Sequence, residues 1–125
     1  MEIFKTDHTV PSCGYVVRKN KSALLITADT YSLDNMIEMV QKDPDITAIV
    51  VECSFPSSME SLARESKHLT PQLLFEKIKV LENRKLHLYI NHIKPLYKEI
   101  ICSEITALQG PWETTILDDG DKISF

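Results

Sequence analysis

Residues 46–52, Ile-Thr-Ala-Ile-Val-Val-Glu, decide the fold class of this chain. The centre of this segment is continuously apolar, which is typical of a parallel strand that is buried on both faces. Two further apolar runs also lead to a polar residue, since Leu24–Thr27 precedes Asp29 and Leu88–Ile90 precedes His92. Open α/β sheets bind ligands beyond the carboxyl ends of their strands, so we expect these polar residues to share one site.

Helix and strand signals alternate around this central strand and predict the order β-β-α-β-α-β-α-β-β. Ser32 and Thr70 are suitable helix caps, and Pro71 suits the first position of a helix. Asp118-Asp-Gly-Asp121 predicts the turn of a closing hairpin. The alternation favours an α/β fold with a mixed, mostly parallel sheet. The predicted strands are 14–18, 22–27, 46–52, 86–91, 114–117 and 122–125, and the predicted helices are 33–42, 71–83 and 95–108, with a helical turn near 61–65.

Composition excludes several classes of function. The 125 residues predict a single small domain, 1–125. A net charge of -4 without a basic stripe argues against nucleic acid as a partner. No apolar run approaches the roughly 20 residues that a membrane helix needs, so no membrane association is expected. The three scattered cysteines, Cys13, Cys53 and Cys102, predict reduced thiols and a cytoplasmic location.

The predicted helices suffice to cover only one face of the sheet. An apolar sheet face left in water exceeds the few hundred Å² that monomers usually expose. We therefore expect another layer on this face, either a homo-oligomeric partner or a missing part of the fold. The face is predicted to consist of Leu24, Ile26, Ile49, Val51, Leu88 and Ile90.

Five short motifs in order resemble a known family of hydrolases. Each motif is weak alone, but their order and spacing agree over nearly the whole chain. Together they resemble the C-terminal half of a metallo-β-lactamase-fold class II 3′,5′-cyclic-nucleotide phosphodiesterase, a family related to ribonuclease Z. The motifs are His8-Thr-Val-Pro-Ser-Cys-Gly-Tyr15, Thr27-Ala-Asp-Thr30, Glu52-Cys-Ser-Phe55, Lys67-His-Leu-Thr-Pro71 and Asn91-His-Ile-Lys-Pro95.

The resemblance implies a site with two divalent metal ions, Zn²⁺ foremost and Mn²⁺ or Fe²⁺ as alternatives, and a cyclic nucleotide as substrate. It implies that His8 and His92 bind one metal each and that Asp29 bridges the two. Glu52 and His68 resemble the pair in which the histidine protonates the leaving oxygen in the ribonuclease Z branch. The alternatives are purely structural roles, in which Asp29 caps a helix and the histidines are hydrogen-bonded surface residues.

The sequence departs from the family pattern in ways that limit this interpretation. Ala28 and Tyr31 stand where the family usually or often has glycine. The N-terminal His-x-His-x-Asp-His motif is absent. We therefore expect an α/β half of a four-layered αββα sandwich that carries only part of the di-metal site and is inactive alone. A non-catalytic, self-associating domain and a ribonuclease Z-like RNA phosphodiesterase are the alternatives.

Overall fold

The computed structural model describes residues 2–6, 12–27, 33–91, 93–118 and 120–123, with side chains described from Gly14 onward. Strands and helices alternate as the sequence predicts, with one additional strand at the start of the chain. The strands are β1 (Glu2–Thr6), β2 (Ser12–Lys19), β3 (Ser22–Ile26), β4 (Ile46–Glu52), β5 (His87–Asn91) and β6 (Glu113–Ile116). The helices are α1 (Asp34–Lys42), α2 (Glu60–Ser66), α3 (Pro71–Ile78) and α4 (Lys98–Leu108), and short 3-10 turns cover Ser57–Met59, Lys79–Leu81 and Pro95–Tyr97.

The six strands form one mixed sheet in which spatial order follows chain order, from β1 to β6. β1, β2 and β3 pair antiparallel, whereas β3, β4, β5 and β6 pair parallel. It follows that β1 and β3 to β6 all run in the same direction and end at the same edge of the sheet. We call this edge the carboxyl edge. The predicted mixed, mostly parallel sheet is confirmed.

Local capping explains where the third helix begins. The Thr70 side chain accepts a hydrogen bond from the Leu73 backbone N–H at 3.2 Å, and Pro71 occupies the first position. The proline has no N–H to leave unpaired there, and its fixed φ suits a helix start. The helix tightens into a 3-10 turn at Lys79–Leu81, so its α-helical part ends earlier than predicted. The predicted cap Ser32 lies outside the described residues.

All four helices pack on one face of the sheet. The core on this side joins strand residues such as Leu25, Ile49 and Leu88 to helix residues such as Met36 and Leu74, all of them 1% exposed or less. Successive residues of a strand point to opposite faces of the sheet. The residues next to these in the chain therefore point to the far side.

The opposite face carries a smaller apolar cluster, the far-face cluster, which consists of Leu24, Ala48, Val50 and Tyr89. Ile26, Leu117 and Ile123 pack against it, and its four members are buried. The predicted composition of this face was wrong for four residues, which the register places on the helix-covered face: Ile49, Val51, Leu88 and Ile90. Leu117 and Ile123 help to cover this face. This differs from the expectation that the covering layer comes from outside the chain.

The predicted closing hairpin does not form within the described residues. β6 pairs parallel with β5, and residues 120–123 are not in a strand, while 124 and 125 lie outside the described residues. The turn itself is present, because the Asp121 N–H donates to the Asp118 carbonyl at 3.1 Å. Among the described residues, no helix has the length and apolar character needed to cross a membrane.

The half-buried side chain of Arg84 connects the end of α1 to the start of β4. The Arg84 guanidinium donates to the carbonyls of Val40, Asp43 and Ile46. The Arg84 carbonyl in turn accepts from the indole N–H of Trp112 at 3.2 Å. One side chain thereby satisfies several carbonyls that the end of a helix and a tight connection leave unpaired.

Candidate active site

The strands that precede the predicted site residues all end at the carboxyl edge of the sheet. β3 ends at Ile26, β4 at Glu52 and β5 at Asn91. His8 follows Thr6, the last residue of β1, by two positions, Asp29 follows Ile26 by three, and His92 follows Asn91 directly. The predicted metal ligands His8, Asp29 and His92 themselves lie outside the described residues. Their convergence on one metal cluster therefore stays a prediction.

Glu52 is a carboxylate buried at the end of a core strand. It is 1% exposed, and its Oε1 accepts the Leu69 backbone N–H at 2.8 Å. Its Oε2 accepts the Ser54 hydroxyl at 2.7 Å. Buried charges are costly unless they are paired and hydrogen-bonded, and these two donors reduce that cost. The interactions fix both oxygens of the carboxylate and pin the loop that carries His68.

His68 lies beside this carboxylate because α2 ends two residues before it. Lys67 takes the left-handed conformation, with φ 59°, and the His68 N–H donates to the Ala63 carbonyl at 2.8 Å. This turn directs the chain back toward β4. The Nδ1 atom of His68 lies 3.7 Å from Glu52 Oε1, and the side chain keeps 16% of its surface exposed. The predicted approach of His68 to Glu52 is found.

Ser54 is a member of this cluster that the sequence reasoning missed. Its hydroxyl donates to Glu52 and lies 3.4 Å from Nδ1 of His68, so one oxygen touches both partners. Its backbone N–H donates to the Leu69 carbonyl at 3.0 Å. The signal available in the sequence was its place two residues after Glu52, inside the quoted motif Glu52-Cys-Ser-Phe55. Spacing alone does not reveal the contact, because it depends on the path of the loop through residues 53–70.

The Phe55 ring links His68 to Tyr97 and Lys94. The Phe55 ring meets the imidazole edge-on at 6.0 Å between centroids and lies 6.4 Å from the Tyr97 ring. The Lys94 ammonium sits over the Phe55 ring at 5.2 Å from its centroid. Attraction between a cation and an aromatic face holds such an ammonium in place. The Lys94 charge is thereby held against a ring that contacts His68.

The buried thiol next to Glu52 is unsuited to chemistry. Burial of Cys53, together with the nearby charge of Glu52, raises the pKa of the thiol well above its ordinary range. A thiolate is the reactive form of cysteine, and a raised pKa keeps it scarce. Cys53 is therefore a small core residue.

The predicted donors His8, Asp29 and His92 suit a divalent metal in their chemistry. Two imidazoles and a carboxylate favour Zn²⁺ and related ions, and in the sequence each donor follows a strand that ends at the carboxyl edge. Within the part of the chain that the structure describes, no three histidine, cysteine, aspartate or glutamate side chains form a metal-binding group. The assignment of His8, Asp29 and His92 as metal ligands stays a prediction, and Glu52 and His68 form a cluster with Ser54.

Comparison with solved structures identifies the fold. The chain is similar to the metallo-β-lactamase-fold protein YhfI from Bacillus subtilis, with 16% identity and a TM-score of 0.74 over 95% of this chain and 47% of that one. It is also similar to human tRNase Z, short form (ELAC1), with 21% identity and a TM-score of 0.69 over 98% of this chain and 41% of that one. Neither a protein-family model nor a curated protein matches the sequence.

The class of fold follows from these similarities. The described residues form part of a metallo-β-lactamase fold, so the predicted fold class is confirmed. The chain spans less than half the length of either structure. Likeness at this level of identity shows the fold alone, and the assignment to cyclic-nucleotide phosphodiesterases stays a prediction.

Proposed function

We propose that this chain supplies one half of a di-metal phosphodiesterase site in which His68 protonates the leaving oxygen. The observation that carries the proposal is the cluster of Glu52, Ser54 and His68 beside the carboxyl edge. A buried, doubly hydrogen-bonded carboxylate next to a partly exposed imidazole is the arrangement expected of an oriented general acid. The metallo-β-lactamase fold, shared with a tRNase Z, supports this proposal.

The roles of the three residues follow from their contacts. Glu52 and Ser54 both lie against Nδ1 of His68, so the imidazole would deliver its proton through Nε2 on the opposite side of the ring. Glu52 would hold the imidazole in one orientation and fix which ring nitrogen faces the substrate. An alkoxide is a poor leaving group, and a positioned acid contributes about 10²–10⁴-fold to its departure.

The remaining residues would hold the metals and the phosphate. His8 and His92 would each bind one divalent ion and Asp29 would bridge them, with Zn²⁺ favoured and Mn²⁺ or Fe²⁺ as alternatives. When bound, such ions supply a Lewis acid for the phosphoryl oxygen and an acidified water. Lys94, held over Phe55, would attract the phosphate charge toward His68.

A cyclic nucleotide such as cyclic AMP is the favoured substrate, on the strength of the motifs in the sequence. The second candidate is an RNA phosphodiester, which is favoured by the similarity to human tRNase Z. The net charge of -4 counts against RNA, because most affinity for nucleic acid comes from neutralising its phosphates. A non-catalytic, self-associating domain is the outcome to be distinguished from both.

The first experiment separates the catalytic proposals from the non-catalytic one. The 125-residue chain should hydrolyse cyclic AMP negligibly with added Zn²⁺ or Mn²⁺, because three metal ligands are too few for two metal sites. Turnover near a common enzyme rate, on the order of 10 per second, by this chain alone would contradict the half-site proposal. The coding sequence upstream should be read for a His-x-His-x-Asp-His segment, and a product carrying it should be assayed with and without a chelator.

The second experiment tests the role of His68 in that longer product. His68→Asn should lower kcat on cyclic AMP by about 10²-fold or more, in line with loss of a general acid. His87→Asn is a matched control, since His87 lies at the start of β5, where its Nε2 contacts Thr115 Oγ1 at 2.6 Å. Equal losses in the two variants would remove the basis for the proposal, and preferred cleavage of a precursor tRNA would favour the RNA alternative.

A further inference from the structure

We infer that Ser54 is a positioning residue that lies between Glu52 and His68 and keeps the proton of the neutral imidazole on Nδ1. The Ser54 hydroxyl lies 2.7 Å from Glu52 Oε2 and 3.4 Å from Nδ1 of His68. We call this arrangement the serine relay. A hydroxyl has one proton to donate and two lone pairs that accept, so it can donate to only one of its two neighbours.

The burial of Glu52 decides which neighbour receives the Ser54 proton. Glu52 is 1% exposed, and its other oxygen, Oε1, accepts the Leu69 N–H. A carboxylate can only accept, and leaving one of its oxygens buried without a donor is costly. The His68 side chain keeps 16% of its surface exposed, so water compensates a lost hydrogen bond more readily there. The Ser54 proton therefore points to Glu52.

The tautomer of His68 follows from the direction of this hydrogen bond. With its proton directed to Glu52, Ser54 presents only lone pairs to His68, so the ring makes this contact by donating an N–H from Nδ1. The direct approach of Nδ1 to Glu52 Oε1 is longer, at 3.7 Å, and exceeds the usual length of a hydrogen bond. The serine relay, rather than the direct contact with the carboxylate, therefore selects the tautomer.

The consequence for catalysis rests on the proposed function. An imidazolium that gives its Nε2 proton to a leaving oxygen is left as the neutral ring with its hydrogen on Nδ1. This is the tautomer that the serine relay selects, so no other proton has to move after the transfer. Ser54 thereby acts through His68 and need not touch the substrate.

NMR of the ring nitrogens tests the inference on the 125-residue chain without metal or substrate. The chain is labelled with ¹⁵N-histidine and measured at about pH 9, where an ordinary imidazole is neutral. The ¹⁵N shifts of His68, assigned by their loss in His68→Asn, should show a protonated Nδ1 and an unprotonated Nε2. Ser54→Ala should lower the ratio of the Nδ1–H to the Nε2–H tautomer about tenfold, the effect of one hydrogen bond.

Two further serine variants serve as rescue and control. Ser54→Thr keeps a hydroxyl at the same position and should restore the ratio. Ser66→Ala removes a hydroxyl that donates to the Leu62 carbonyl within α2, so it should leave the ratio unchanged. Circular dichroism checks that each variant is folded, and if Ser54→Ala is not, Glu52→Gln decides the question.

Glu52→Gln separates the serine relay from a direct contact between Glu52 and His68. The glutamine carbonyl can take the place of Oε1 and accept the Leu69 N–H, and its amide then donates to the Ser54 oxygen. Ser54 would turn its own proton toward His68, so the relay predicts a reversal to the Nε2–H tautomer. A direct contact predicts no reversal, because the carbonyl oxygen near Nδ1 is still an acceptor.

The outcomes for the relay and for the proposed reaction can be told apart. A hydrogen on Nε2 of His68 in the unmodified chain, or an unchanged ratio of tautomers in folded Ser54→Ala or in Glu52→Gln, would overturn the inference. In the longer product, Ser54→Ala should lower kcat on cyclic AMP. The predicted tautomers together with an undiminished kcat in that variant would uphold the relay and reject the proposed role of His68 as the acid.

Discussion

Replacing Glu52 with alanine should destabilise this chain more than most single substitutions. The change leaves two buried donors without an acceptor, the Leu69 backbone N–H and the Ser54 hydroxyl, both on residues that are at most 1% exposed. Each unsatisfied buried group costs about 1–3 kcal/mol, so we expect a loss of about 2–6 kcal/mol in the free energy of unfolding. That is a large part of the roughly 5–15 kcal/mol that holds an ordinary domain together.

Glu52→Gln distinguishes hydrogen bonding from charge. The glutamine carbonyl can still accept the Leu69 N–H, and its amide can donate to the Ser54 oxygen. This variant should therefore retain most of the stability that the alanine variant loses. Glu38→Ala is the surface control, because Glu38 pairs with Lys42 in water, where screening leaves such a pair with little effect on stability.

Urea unfolding followed by circular dichroism measures these differences. With a urea m-value of about 1–3 kcal/mol per M, the alanine variant should unfold at a midpoint about 1 M or more below that of the unmodified chain. The order of stability should be unmodified chain, glutamine variant and then alanine variant. An alanine variant as stable as the Glu38 control would refute the view that Glu52 organises the loop through residues 53–70.

Three further predictions concern other parts of the molecule. Arg84→Met should lower the unfolding free energy by about 2–4 kcal/mol in urea melts, because three backbone carbonyls lose a charged donor. Arg64→Met, which removes an arginine from an exposed ion pair with Glu60, is the control, and an equal loss would contradict the expectation. The hydrogen bond from Arg18 lowers the pKa of Asp43. The pair therefore stabilises the folded chain above the ordinary carboxyl pKa, and this stabilisation is lost as pH falls through the pKa of Asp43 in the folded state. Asp43→Asn should therefore cost at most about 1 kcal/mol at pH 7 and make the acid side of the stability profile flatter, and an unchanged profile would count against the pair. We also expect a homodimer formed through the edge strands β1 or β6 or around the far-face cluster, which light scattering at high micromolar concentration checks and a monomeric mass would reject.

Local signals in the sequence determined most of the element order. The apolar segment 46–52 predicts the bounds of β4, and Thr70 with Pro71 predicts the start of α3. These features depend on neighbours in the chain, such as a cap, a fixed φ or an uninterrupted apolar run. β1 was missed, because the short segment Glu2–Thr6 has no alternating apolar pattern and pairs with β2 only in the folded chain. The pairing of Glu52 with His68 was available from the motifs.

Tertiary structure decided which face each strand residue occupies and how the candidate site is held together. In a continuously apolar strand both sets of alternate residues are apolar, so the pattern cannot assign Val50 to the far face and Ile49 to the helices. Contacts across the sheet make that assignment. Ser54 joined the cluster only because the loop through residues 53–70 meets the end of β4 in space. Such contacts join residues that are distant in the chain, and local propensities do not predict them.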